Sequence, residues 1–356
     1  MTPPAFADAV GLRQKVRAAG LDPNHWYAVE YERRLPRRAI RATSFWGAAI
    51  VLWRDIDGRV HALEDRCAHR QLPLSLGSVE GCRLVCAYHG WTYDDGGRLV
   101  DVPHDRFGHP MPSVHIRHHP VRERYGLIWI FPGDPTLAVR VPLPEVPVLE
   151  GSEPWAYAPI DFTWRAHHSM VMDNLCDLTH AHLHRRFASF QPGRLLDWDA
   201  TDDRVLLRYE AKVGPRVRHD VAPSPMTISF EYPYHWAAFE WSGIRGQIRY
   251  WTFLLPMDVR TTCVFFVMAY DRLRVPGLPA SLPHRALRWV LAAIQPFVRS
   301  LLDQDGVALE AEQRGYEAHW DAPLVELNPA VALLHRLTIR KWEAHLARAG
   351  AAGVPA

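Results

Sequence analysis

The sequence predicts an α+β chain in which an N-terminal all-β domain is followed by an antiparallel sheet packed on long C-terminal helices. Short β-rich runs broken by turn pairs, a stretch dense in proline and glycine after them, and apolar residues at helical spacing near the C-terminus carry this prediction.

The first 40 residues are assigned to an N-terminal helical segment and residues 41–135 to the β domain. From about Phe45 to Ile130 the runs are short, AAIVLWRD and RVHALED among them, and DG and GG pairs separate them as turns. The stretch FPGDPTLAVRVPLPEVPVLEGSEP, Phe131 to Pro154, holds neither helix nor central strand and marks a domain boundary. Residues 150–356 form the second domain. It opens with a helical candidate near 166–185, followed by strand-like RVLLRYEAKV, MTISFEY, QIRYWTFLLPM and TTCVFFVMAYDR. From about Leu282 to Ala351 the pattern is helical and interrupted only at Pro296.

At 356 residues and 48% hydrophobic content the chain is long enough to fill two cores. Lys+Arg 41 against Asp+Glu 39 leaves a net charge of +2, which argues against a polyanionic partner such as nucleic acid. The N-terminus lacks an apolar signal core and no window approaches a membrane span, so a cytoplasmic protein is expected. Five cysteines are too few and too odd for a disulfide framework, and among twenty histidines position must decide which are ligands.

Two loops of the β domain, RCAHRQLPLSLG and LVCAYHGWTYDDGG, supply Cys67-x-His69 and Cys86-x-x-His89. A zinc finger gives both cysteines and then both histidines, whereas here each loop gives one of each. That order suits a Rieske [2Fe–2S] cluster, with two Cys on one iron and two His on the other. Gly77, Gly81, Gly90 and Gly96 allow tight turns, and Pro73 and Trp91 are expected to shield the cluster. Cys82, Cys176 and Cys263 are read as packing residues, and a structural zinc knuckle is the competing interpretation.

In the second domain, SMVMDNLCDLTHAHLHRRF carries Asn174, Asp177, His180, His182 and His184. On a helix His180 and His184 share a face with Asp177, and His182 points away. Two such imidazoles are two-thirds of a 2-His-1-carboxylate iron site, whose third ligand would come from Asp303 or Asp305 in LLDQDGVALEAEQ, with Asp305 favoured. Met170, Phe230, Trp236, Phe239 and Trp241 are candidate pocket walls.

Together these segments resemble the α subunits of Rieske non-haem iron oxygenases, the ring-hydroxylating and demethylating family, over nearly the whole chain. RCAHRQLPLSLG through LVCAYHGWTYDDGGRLVDVP looks like the cluster-binding segment, YGLIWIFPGD like the strand closing the Rieske domain, and DNLCDLTHAHLH like the iron helix. QDGVALEAEQ resembles the third-ligand helix of demethylase-like members, which implies Asp305. Most members have four residues between the two iron histidines; the three found here resemble carbazole-type dioxygenases. The resemblance implies a helix-grip catalytic domain, one [2Fe–2S] cluster, one mononuclear Fe(II), and a head-to-tail homotrimer in which Asp177 bridges His89 of one subunit to His180 of the next.

No G-x-G-x-x-G follows a strand, so electrons are expected from a separate NAD(P)H-dependent reductase, with or without a ferredoxin. The implied reaction is hydroxylation, dihydroxylation or oxidative demethylation of a small organic substrate, aromatic or cyclic, with O2. A Rieske electron carrier with an attached binding domain is the alternative, and it would hold no mononuclear iron.

Overall fold

The computed structural model describes residues 2–150, 155–187, 190–213, 222–240, 247–271 and 284–351. The chain divides into two compact units, Pro23–Pro144 and a larger one made of Met1–Asp22 with Glu145–Ala356.

The first unit is all β with short 3-10 turns. A four-stranded sheet contains Ile40–Phe45, Ala48–Arg54, Val60–Glu64 and His118–His119; a second is built from Ser78–Glu80, Arg83–Val85, Thr92–Tyr93 and Leu99–Asp101. The unit begins earlier than residue 41 because Tyr27–Tyr31 pairs antiparallel with Leu127–Ile130 and forms a three-stranded sheet with Val121–Arg124. Its core gathers Val51, Trp53, Leu63, Leu74, Leu84 and Tyr93 around Cys67 and Cys86. Both cysteines sit at the base of turns whose tips carry the histidines.

Glycine is required where those turns reverse. Gly90 has φ +71°, and a Cβ there would meet Pro103 Cγ at 2.7 Å. In the GG pair the left-handed residue is Gly97, at φ +83°, and not Gly96. Pro73 is exposed and does not shield the cysteines; Leu74, fully buried, fills that place.

The larger unit wraps one seven-stranded antiparallel sheet against helices. In spatial order the strands are Ala156–Trp164, Thr261–Tyr270, Gln247–Asp258, Tyr234–Glu240, Ser224–Glu231, Arg204–Ala211 and Arg194–Ala200. Apart from the first, neighbours in this order are neighbours in sequence, as hairpin connections require. The helices are α1 (Leu12–Ala18), α2 (His168–Cys176), α3 (His284–His319) and α4 (Pro329–Ala351). Helix α3 runs through Pro296 without ending there. Residues 1–40 do not form a separate helical segment: within them α1 is the only α-helix among the described residues, and it belongs with the larger unit. No helix among the described residues is long and apolar enough to cross a membrane.

A buried polar cluster ties the four helices together. Arg17 of α1 donates to Ser169 Oγ and Asp173 Oδ2 of α2, both at 2.7 Å, and to Glu312 Oε1 of α3 at 3.0 Å. His335 of α4 lies 2.9 Å from Asp173 Oδ1. Burial alone would raise the Asp173 carboxyl, but Arg17 and His335 outweigh it and hold it below the ordinary range. Helix α2, which the histidine segment follows, is thereby held in place through Ser169 and Asp173.

Candidate metal centres

In the first unit Cys67 and Cys86 are free thiols, 1% and 3% exposed, while the His69 and His89 rings lie on the outer side with centroids 4.5 Å apart. His69 Nδ1 is buried with no partner among the described residues, as expected of a nitrogen reserved for a metal. The His69 ring stacks on Trp91 at 4.6 Å, so Trp91 shields this edge as the sequence suggested. Tyr93 Oη lies 3.4 Å from Cys67 Sγ, a contact in which the phenol donates once sulfur is a thiolate. Burial pushes the Cys86 thiol up despite backbone hydrogen bonds from Tyr88 and His89, a cost to the thiolate that bonding to iron would offset. Two buried sulfurs and two outward imidazoles fit the two-sided ligand set of a Rieske cluster.

Cys82 does not pack. It stands exposed at the Glu80–Arg83 hairpin tip, its Sγ 3.4 Å from Asp57 Oδ2. Cys176 is fully buried and Cys263 partly so.

In the larger unit the helix predicted over 166–185 stops at Cys176. The Asp177 carboxylate accepts from Thr179 N at 2.8 Å and Thr179 Oγ1 at 3.0 Å, a local turn that competes with the next helical bonds. The chain then makes a 3-10 turn at His180–His182, which brings the His180 and His184 rings to 5.4 Å between centroids. The i,i+4 proximity read from the sequence is therefore present without the helix that was to provide it.

His180 Nδ1 donates to the backbone carbonyl of Asp177 at 2.5 Å, and His184 Nδ1 to Gln304 Oε1 at 3.0 Å. Both rings thus present Nε2 to Asp305, whose Oδ1 lies 3.6 Å from His180 and 3.1 Å from His184. Bonds of about 2.1 Å at right angles would set neighbouring donors about 3 Å apart, so the three groups fit one face of a six-coordinate metal. Asn174 Nδ2 donates to Asp305 Oδ1 at 3.1 Å and orients it. Asp303 is exposed, and exposed His182 turns its Nε2 toward Arg185. Burial lowers the His180 imidazole; at His184 burial acts the same way, but Asp305 overcomes it and the net shift is upward.

The Asp177 carboxylate does not touch the His180 ring. Besides Thr179 it takes a hydrogen bond from Asn328 Nδ2 at 3.0 Å and remains partly exposed. Gln304, Asn328 and Phe190, whose ring packs 5.3 Å and 5.2 Å from His180 and His184, were not singled out from the sequence. Gln304 alone had a signal there, its place beside Asp305.

The triad opens into a cavity with about 810 Å³ of atom-free space, part of it open to solvent, walled by residues such as Leu178, Met226, Phe239, Tyr250, Phe266 and Met268. Of the described pocket candidates only Phe239 lines it. Met170 and Phe230 are core, Trp236 binds Glu231 Oε1 through its indole, and Trp241 lies outside the described residues.

Gly306 sets how closely Asp305 approaches. A Cβ at Gly306 would lie 2.3 Å from Trp164 Nε1, so Gly306→Ala is expected to push α3 off the Ala156–Trp164 strand. Stability should fall by about 1–3 kcal/mol, and mononuclear iron should be lost. Thermal unfolding and iron analysis check this; unchanged iron content would show that Asp305 does not depend on that packing.

The sequence matches the Rieske [2Fe-2S] domain model over residues 25–114 and the vanillate O-demethylase oxygenase C-terminal domain model over 164–349. The chain belongs to the Rieske non-haem iron oxygenase family and is a terminal oxygenase component, with a [2Fe–2S] cluster and a mononuclear iron as its cofactors. It is similar to the 4beta-methylsterol monooxygenase of Methylococcus capsulatus, 41% identical over 94% of this chain and 92% of that protein. It is 36% identical to the oxygenase component of dicamba O-demethylase from Stenotrophomonas maltophilia, over 46% of this chain and 47% of that one. The crystal structure of dicamba monooxygenase bound to dicamba superposes with TM-score 0.73 at 25% identity, covering 93% of this chain and all of the other.

Proposed function

We propose that this oxygenase monooxygenates a neutral, fused-ring alicyclic compound of the sterol class, at a methyl or ring carbon held beside His180, His184 and Asp305. The cavity carries this reading. Its walls are apolar, and apart from the triad only Asn174 and Tyr250 are polar among the described lining residues; no Lys or Arg is among them. A carboxylate substrate would lose its hydration there without a cation to replace it, which costs several kcal/mol. A neutral polycycle gains roughly 25 cal/mol for each Å² of apolar surface it buries. The similarity to a methylsterol monooxygenase, along nearly the full length of both chains, points the same way.

When bound, iron at the triad supplies O2 activation and the cluster supplies electrons one at a time. The Asp177 carbonyl and Gln304 fix the tautomers of His180 and His184, Asn174 fixes Asp305, and the apolar wall keeps water from the reacting carbon. Electrons reach the cluster from a separate NAD(P)H-dependent reductase, directly or through a ferredoxin, and leave by the outward His89 edge. Asp177 receives that edge from a neighbouring subunit of a head-to-tail homotrimer; its partly exposed carboxylate, held by Thr179 and Asn328, supports this role.

The test is product formation with a surrogate reductase and a panel of methylated sterols and aromatic carboxylates. Hydroxylated sterol is the expected product, with no turnover of the carboxylates. Preference for a carboxylate such as dicamba or vanillate would contradict the reading.

A further inference from the structure

The face of the seven-stranded sheet that carries Met226, Phe239, Phe266 and Met268 is largely apolar, yet two polar side chains sit on it side by side. His235 and Thr252 are cross-strand partners, each 0% exposed. Among the described residues neither nitrogen of His235 has a hydrogen-bond partner, and neither does Thr252 Oγ1. Leaving such groups unsatisfied is costly, and a sheet face made otherwise of Phe230, Phe266 and similar residues could have avoided it.

Register places the pair on the sheet face that lines the cavity, behind the lining residues themselves. Directly opposed residues of antiparallel strands share a face, and residues two apart along a strand share it as well. His235 is therefore on the face of Phe239, and Thr252 on that of Tyr250, both of which line the cavity above the triad. The His235 ring packs 5.5 Å from that of Tyr250. Tyr250 thus touches both the cavity and the buried pair.

We infer that His235 and Thr252 form a hydroxyl-binding subsite at the inner wall of the cavity, reached past the Tyr250 ring, that takes the alcohol group of a neutral substrate. The inference rests on the fused-ring reading above and deepens it. A neutral imidazole offers one N–H donor and one acceptor, and an alcohol needs one of each; the threonine hydroxyl supplies a further partner. Burial pushes the His235 imidazole down to about 3, so it stays neutral at working pH. A carboxylate or an ammonium group would enter this place without a counter-charge and is excluded by the same burial. Anchoring the alcohol there fixes which carbon of a rigid ring system lies beside the triad, so the subsite sets position as well as affinity.

The experiment compares a methylated sterol with the same skeleton lacking its hydroxyl, measuring kcat and KM separately in wild type, His235→Phe and Thr252→Val. Cluster absorption and iron content report folding. In wild type the alcohol should be preferred by about tenfold or more in kcat/KM, mostly through KM, because a site built to pair a hydroxyl discriminates against its absence. The preference should fall below about twofold in His235→Phe and drop in part in Thr252→Val, which keeps the side-chain shape and serves if His235→Phe does not fold. Equal handling of both skeletons by wild type, or an undiminished preference in the folded variants, would overturn the subsite while leaving the fused-ring reading intact. Turnover of aromatic carboxylates and of neither skeleton would overturn both.

Discussion

Cys86→Ala is expected to abolish the visible absorption and EPR signal of the cluster, and all turnover with them. Cys86 is 3% exposed and, with Cys67, one of the two buried cysteines in the core of the first unit among the described residues; Cys82, the nearest cysteine in sequence, stands exposed on a hairpin tip beside Asp57. The mononuclear iron should remain, since the proposed ligands His180, His184 and Asp305 belong to the other compact unit. Loss of cluster with retention of about one iron per chain is thus the expected result. A persistent Rieske spectrum in the variant would remove Cys86 from the ligand set.

His184→Ala should give the complementary result: cluster kept, mononuclear iron lost, and turnover reduced by more than the roughly 10–100-fold that changes to a ligand's supporting groups cause. The imidazole is 2% exposed, and its removal leaves Asp305 Oδ1 and Gln304 Oε1 facing a gap. His182→Ala should keep both iron and activity, because that ring points outward to Arg185. Iron and turnover are followed together in the two variants; an inactive His182→Ala beside an active His184→Ala would reverse the assignment.

The candidate cluster residues Cys67, His69, Cys86 and His89 were legible in the sequence because each pair lies within one short loop, where residue type, order and spacing are the geometry. The iron site was legible in part. His180 and His184 were found by assuming a helix, and the helix is not there: Asp177 turns its side chain onto Thr179 and ends it, a competition between side chain and backbone that periodicity does not register. Asp305 could be narrowed to two aspartates from the sequence, and burial separates them, since Asp303 faces solvent. Gln304, Asn328 and Arg17 act across separations of more than 100 residues, which no local pattern encodes. The first domain boundary was misplaced for the same reason, because Tyr27–Tyr31 belongs to the β domain only through its pairing with Leu127–Ile130. For the cavity wall, an aromatic in a sheet reads the same whether it faces the core or the substrate, and only register distinguishes Phe239 from Trp236.

The proposed function requires the two iron centres to act as one system, with Asp177 conducting between them. A single-turnover experiment on wild type and Asp177→Asn tests it most directly: reduce the cluster, add substrate and O2, and follow cluster reoxidation together with product. Wild type should reoxidise its cluster and form product in step. Asp177→Asn keeps the size of the side chain and removes the charge; the backbone carbonyl that holds His180 is unchanged, so both metals should be retained at wild-type content while reoxidation and product both collapse. Wild-type-like reoxidation and product in Asp177→Asn would contradict the conducting role, and loss of iron would instead make Asp177 a ligand and put Asp305 in doubt.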